Sequence, residues 1–499
     1  MAGATKPAKP QTELRRGVLG TGAITYYVVS AAAPLMIMAG LAPFALLAGG
    51  IGAPAAYPAA GVVLAVFAVG FTTMSRHVTG AGAFYTYVAR GLGRPAGVAA
   101  AVLALMSYNA LQIGMYGLLG AAARSTVDSL TGVDLPWPGY AMAGIAVVWY
   151  AGFRSVEFGA RMLAVLLLAE TAVLVVLSAA VLIDGGAHGL GAEPFAPSNA
   201  LDSGTSAALP FAFAAFIGFE STVLYRAEAR DPRRTIPRAT FAAVGFLAIF
   251  YGFVAWMIVQ AYGPREIIAA VAADPEGLFF GAAATHLGSW AADVMHVLVV
   301  TSLVASLLAF HNAINRYSLA IARDGLLPAR LGVTHPRTHS PYRAGAVQTL
   351  LSVLVVGAFA LAGADPTRQL LIWVNTPGLV GLILLQVMVA VAVPLFFRRF
   401  PHREGAVRTV WAPALAALLL SCALYLVIDK TALLTNASPR VNTAIIVIVP
   451  VVLAAGFVLA AWLRRARPRL YERFGQDAPD PDDRGGPADP AASVPETTR

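Results

Sequence analysis

The chain has 499 residues, 58% hydrophobic and only 12% charged, with a formal net charge of +9 and a mean hydropathy of +0.70. That balance excludes an ordinary soluble domain. The positive charge is spread over many short segments, which excludes the clustered basic face of a nucleic-acid binder. A bilayer-crossing helix needs roughly 20 apolar residues, and about twelve such runs follow one another here. In chain order the predicted spans are Gly20–Ala48, Pro58–Met74, Pro95–Ala122, Trp137–Gly152, Met162–Ile183 and Ala207–Tyr225, then Ala239–Tyr262, Ala291–Ile321, Ala344–Ala362, Gln369–Phe397, Val410–Ile428 and Thr443–Leu463. The fold class expected is an all-α integral membrane protein.

The basic residues predict its orientation. With residues 1–16 in the cytoplasm, every Lys and Arg except Arg124, Arg265, Arg368, Lys430 and Arg440 lies on the cytoplasmic side. So strong a positive-inside bias predicts an even number of spans, with both termini cytoplasmic, in a plasma (inner) membrane. The net charge then reflects topology and attraction to anionic lipid. Residues 1–16 and 466–499 are expected to be disordered cytoplasmic ends around a membrane body at 17–465: Met1–Arg16 is polar, and Gln476–Arg499 is rich in Pro, Asp and Gly with almost no large apolar residues. The first apolar run is too long for a cleavable signal peptide. Asp184–Ser206, an outer loop rich in Gly and Pro, is too short for a folded domain, so the functional groups are expected inside the membrane.

Two spans look interrupted. The first carries Ala31-Ala32-Ala33-Pro34 near its middle, and Pro34 frees carbonyls around Ser30 because it lacks an N–H and disturbs the preceding turn. The sixth carries Ile217-Gly218-Phe219-Glu220. Broken segments at matching positions, five spans apart, point to inverted repeats with a binding site at mid-membrane. Two acids lie in apolar runs without an adjacent counter-charge, Glu170 and Glu220. A carboxylate at that depth faces the bundle interior and by default marks an ion or substrate path.

Other polar groups are fewer. The third span holds Tyr108, Asn109 and Gln112, and the tenth Trp373, Asn375 and Thr376. Amides in a bundle line a site or stitch helices together. Asn109 and Gln112 are three apart and share one helical face, which makes them the expected side-chain contacts. His311 is a candidate proton relay, with hydrogen bonding to a neighbour as the alternative. Ser302 and Ser306 could ligate sodium or bond their own backbone. The single Cys422 leaves no disulfide or thiolate metal site within the chain, and no motif for phosphate binding, nucleophilic catalysis or a metal is present. No enzyme activity, cofactor or metal is expected.

Three stretches carry a family resemblance. Phe216–Arg238 (FIGFESTVLYRAEARDPRRTIPR) resembles the sixth-span signature of the amino acid–polyamine–organocation permeases. Gly82–Arg94 (GAFYTYVARGLGR) resembles the segment leading into their third span, and Asn312–Pro328 (NAINRYSLAIARDGLLP) the end of their eighth. The resemblance implies a five-plus-five inverted repeat, of the LeuT type, with two further C-terminal helices. It also implies a substrate site where the first and sixth helices unwind. Unwound backbone offers N–H groups to a carboxylate and carbonyls to an ammonium. On the first span Ala31, Ala32, Ala33, Leu35 and Met36 are the expected contacts. On the sixth they are Phe216, Ile217, Gly218 and Phe219, with an aromatic closing over the substrate side chain.

Glu170 departs from part of that family. It aligns where many members carry a lysine that stands in for sodium. A carboxylate removed from water favours its neutral form, so Glu170 is a candidate proton carrier, the alternative being quiet pairing with an Arg, Ser or Thr. The resemblance implies a link between Glu220 protonation and substrate release, the alternative being a gate residue satisfied by backbone donors at the helix break. The expected function is secondary active transport of a small molecule, an amino acid or related amine, by alternating access and coupled to H+. The alternatives are a polyamine/amino acid exchanger without net proton coupling, and a channel, against which the absence of charge rings or symmetric pore helices counts. Oligomeric state is not readable from these features.

Overall fold

Without water, a spanning segment must satisfy its own backbone N–H and C=O groups, and a helix does this within one stretch of chain. The computed structural model describes residues 17, 19–78, 83–153, 156–202, 204–338 and 340–475, and these are helical nearly throughout. The helices are α1 (Thr21–Ala32), α2 (Pro34–Met36), α3 (Ala42–Gly49), α4 (Ala53–Ser75), α5 (Ala83–Leu92), α6 (Arg94–Thr131), α7 (Trp137–Phe153), α8 (Val156–Asp184), α9 (Pro197–Ala200) and α10 (Thr205–Ala215). They continue as α11 (Pro232–Tyr262), α12 (Ile267–Ala273), α13 (Leu278–Leu287), α14 (Ser289–Arg323), α15 (Tyr342–Leu361), α16 (Ile372–Arg399), α17 (Ala412–Asp429), α18 (Thr431–Thr435), α19 (Pro439–Ala466) and α20 (Pro468–Arg473).

Among the described residues ten helical stretches are long and apolar enough to cross a bilayer. The first, Thr21–Ser75, has 55 residues. At about 1.5 Å per residue that is nearly three times the roughly 30 Å hydrocarbon core, ample for two crossings. It is interrupted at Ala33 and again at Gly50, whose φ of 64° is open to glycine without strain. The fourth expected span is the 17-residue helix α7. Every expected run falls on helical segments, and the helices overrun the apolar stretches because the backbone ladder continues past the hydrocarbon. One feature escaped the apolar pattern: α12 and α13 form a pair bent by 118° at Asp274–Gly277, each half too short to register as a span.

Helices α4 and α11 pack together, as do α6, α14 and α16, around the broken segments, while α15, α17 and α19 present exposed aliphatic faces such as Leu354 and Val458. In a membrane protein that exposure faces lipid. The segments predicted to be cytoplasmic converge on one end of the bundle. Leu19 bridges Ala229, Arg76 reaches Glu404 at 3.5 Å, Arg399 donates to the Gly91 carbonyl at 3.3 Å, and Tyr85 to Asp324 at 2.9 Å. We call this the basic end. At the opposite end Gln260 accepts from the Gly191 N–H and His286 meets Asp184 at 2.8 Å.

The tail expected to be disordered from residue 466 is placed up to 475. Helix α20 sets Leu470 against Gly325, and Phe474 is buried and stacked on Tyr85 with ring centroids 5.4 Å apart. These apolar anchors lie just before the polar stretch. Residues 1–16 and 476–499 lie outside the described residues, as does Gly82.

Phe474 helps shield the neighbouring Tyr85–Asp324 contact. Burial pushes the Asp324 carboxyl above its ordinary range, and the Tyr85 hydroxyl opposes this only in part. A carboxyl with a raised folded-state value binds its proton more tightly when folded. Its charged form therefore subtracts stability, increasingly as pH rises through that value. Asp324→Asn keeps an acceptor for Tyr85 and removes the charge. It is expected to raise the thermal midpoint near pH 7 and to change it little near about pH 4, as read by melting in detergent; a lower midpoint at pH 7 would contradict this.

Candidate functional site

Both expected interruptions are present, and they touch. Pro34 disfavours α geometry at the residue before it, and Ala33 takes a left-handed conformation, φ 45° and ψ 75°. The carbonyls freed by the break are taken by side chains from other helices. Ser306 Oγ donates to Ala31 at 2.7 Å and the Tyr251 hydroxyl to Ala32 at 3.3 Å. On the sixth span α10 stops at Ala215, Gly218 adopts φ 113°, and a 3-10 turn runs over Phe219–Glu228. A β-carbon at Gly218 would stand 3.2 Å from the Ala31 methyl, so the absence of a side chain lets the two breaks meet.

A carboxylate serves each break. Glu220 is buried and folds back on its own turn, accepting from the Gly218 N–H at 3.0 Å and from the Tyr108 hydroxyl of α6 at 2.7 Å. Glu170, on α8, is 2% exposed. It accepts from the Ser302 hydroxyl of α14 and lies beside the Leu35 N–H at the start of α2. Each acid is thus held by neutral donors, and Glu170 joins three helices at one point.

Beside the breaks lies a cavity of about 90 Å³. Its wall includes Ala31, Ala32 and Met36 from the first break and Ile217 from the second, faced by residues of α6, α14 and α16. From the breaks toward the basic end the path is closed by side chains. Tyr27 stacks on Tyr225 at 5.4 Å, the Arg316 guanidinium lies 4.8 Å over the Tyr225 ring, and Arg316 pairs with Glu228 at 3.1 Å.

Comparison with known sequences accords with this geometry. The profile of the amino acid permease family matches residues 19–455. The chain belongs to the amino acid permease family. Among similar proteins, an uncharacterized transporter of Mycobacterium tuberculosis is 32% identical over 49% of this chain and 53% of its own length. A branched-chain amino acid permease of Bacillus subtilis is 25% identical over 48% and 47%. A vacuolar cationic amino acid transporter of Arabidopsis thaliana is 31% identical over 38% and 28%. The chain thus spans about half the length, or less, of the curated relatives it matches.

The structure sorts the expected site residues of the permease into three groups. Ala31, Ala32, Met36 and Ile217 stand on the cavity wall. Ala33, Leu35, Phe216, Gly218 and Phe219 are structural parts of the breaks behind it, with Phe216 edge-on to Tyr251 at 6.2 Å and Phe219 edge-on to Phe67 at 6.1 Å. The aromatics that reach the cavity are instead Phe211 and Phe310. Asn109, Gln112 and His311 are absent from the wall. Asn109 donates to its own helix at Leu105, 2.7 Å away. Gln112 donates to the Leu307 carbonyl at 3.3 Å and accepts from Gln348, tying α6 to α14 and α15. His311 is buried between α7 and α15, against Gly152 and Gly345. Of the polar candidates, Asn375 and Thr376 line the cavity. Their position inside an apolar span beside Pro377 was the available signal; Phe211 and Phe310 had none, being ordinary apolar residues in apolar helices.

The break geometry makes a direct prediction. Gly218→Ala places a methyl against Ala31 at a φ that L-residues avoid, and is expected to cost about 1–2 kcal/mol or more. Gly357→Ala, in the middle of α15 with only the Met142 methyl 3.8 Å away, is expected to gain about 0.5–1 kcal/mol. Thermal midpoints of the two variants in the same detergent give the comparison; equal shifts would remove the special role of Gly218.

Proposed function

We propose that this permease is a secondary active transporter that moves an amino acid or related amine by alternating access, with Glu170 carrying a coupled proton. The observation that carries the reading is the position of Glu170. One buried carboxylate, accepting from Ser302 and lying beside the Leu35 N–H, links α8 and α14 to the break in the first span. A charged carboxylate only accepts hydrogen bonds, whereas a protonated one must also donate. Proton loading therefore changes what Glu170 asks of the break and couples proton occupancy to the stretch that faces the cavity. The carbonyls of Ala31 and Ala32 keep a second lone pair for the amino group common to all amino acids, and the Ile217 N–H would exchange its 3.1 Å bond to Ala214 for the carboxylate.

The remainder of the reading follows from this core. The five-plus-five inverted repeat accounts for breaks in the first and sixth spans, and the two further C-terminal spans sit at the periphery. The positive-inside rule turns the basic end toward the cytoplasm of a plasma membrane. Closure of that end by Arg316–Glu228 and Tyr27–Tyr225 then belongs to a state shut toward the cytoplasm. Glu220, tied to Tyr108 beneath the Gly218 break, would serve as a gate. A neutral amino acid entering with one proton gains roughly 2.3 kcal/mol per 100 mV of membrane potential. The names of the relatives, branched-chain and cationic, support amino acid substrates in general and leave the side chain open.

The test uses the full chain in proteoliposomes. Uptake of labelled amino acids is expected to saturate and to rise with an inward proton gradient. Glu170→Gln is expected to retain substrate binding and exchange while gradient-driven accumulation disappears. Accumulation that persists in Glu170→Gln would take the proton away from Glu170, and conductance without saturable uptake would favour a channel.

A further inference from the structure

We infer that the cavity selects a neutral, aliphatic amino acid side chain over a cationic one or a polyamine. This deepens the proposed function and rests on it, because the breaks are taken to hold the amino and carboxylate groups. The rest of the substrate must then fit the remaining wall. That wall is built from side chains such as Ile37, Leu41, Leu111, Met115, Leu118 and Leu379, with Phe211 and Phe310. Among the residues lining the cavity none is Asp, Glu, His, Lys or Arg.

Its two polar side chains have their donors committed and offer an ammonium only neutral oxygen acceptors, no counter-charge. Thr376 Oγ1 donates to the Ile372 carbonyl at 2.7 Å. The Asn375 side-chain amide lies against the carbonyls of Leu111 and Ala110, and the orientation that satisfies it turns the nitrogen to donate to them at 3.0 and 3.1 Å. The two buried acids near the breaks, Glu170 and Glu220, are not part of the wall, and both already accept from protein donors. A second ammonium in this cavity would lose its water without gaining a counter-charge, which strongly disfavours it. An aliphatic side chain loses nothing of the kind and gains apolar contact.

The experiment measures competition in proteoliposomes containing the full chain. Labelled leucine and valine are the probes, and unlabelled leucine, valine, lysine, arginine and cadaverine are the competitors. Leucine or valine is expected to compete better than lysine, arginine or cadaverine by on the order of 100-fold or more. Met115→Asp, which places a carboxylate on the wall, is expected to narrow that ratio by at least tenfold. Lysine or cadaverine binding as well as leucine in the parent protein overturns the inference while leaving amino acid transport intact. Binding of neither class, in thermal-shift as well as in uptake measurements, overturns the transport proposal and this inference with it. If Met115→Asp does not fold, the parent ratio alone decides.

Discussion

Main-chain polar groups inside a membrane have no water to fall back on, and the breaks at Ala33 and Gly218 free several of them at mid-bundle. Leaving such a group unsatisfied costs several kcal/mol. The architecture around the breaks is organised by that requirement. Ser306 and Tyr251 take the carbonyls of Ala31 and Ala32, Glu220 takes the Gly218 N–H, and Glu170 lies beside the Leu35 N–H. Helices α8, α11 and α14 thereby become committed to the first break, while Glu220 caps the second from its own turn with Tyr108 of α6 behind it.

This arrangement gives the two acids distinct positions. Glu220 belongs to the break it caps and hydrogen-bonds a residue two positions away, with Tyr108 as its outside contact. Glu170 belongs to a helix that is not broken and reaches across to the first break. Under the proposed function such a group would report a proton to the backbone, whereas Glu220 holds a turn. Toward the basic end, Arg316 sits between Glu228 and Tyr225 on the same 3-10 segment that begins at the second break. The break, its cap and the closure therefore lie along one short piece of chain. Motion of that piece would open the basic end and disturb the cavity wall together.

The spans were legible because a long apolar run in a chain of this composition has few other fates. The breaks were legible because Pro34 lacks an N–H and Gly218 lacks a Cβ, both local properties. The phase of each helix was not. Segments such as α6 and α16 are apolar on every side, so their periodicity does not announce which face meets the cavity. Gln112 was therefore expected on the substrate face and lies instead among α14 and α15, while Phe310 and Thr376 occupy the wall. The bent pair α12–α13 escaped for a different reason: Asp274-Pro275-Glu276-Gly277 divides its apolar content into halves below spanning length.

By itself the sequence determined the solvent the chain lives in, the order of its apolar runs, the basic side of the bundle and the two points where helices break, since each depends on residue chemistry within a few positions. Tertiary structure alone decided the partners. Glu170 meets Ser302 from 132 residues away, and Tyr108 meets Glu220 from 112. Such contacts depend on how each helix is rotated and offset against its neighbours. Shape complementarity over whole helical faces sets that rotation, and no local run of residues encodes it.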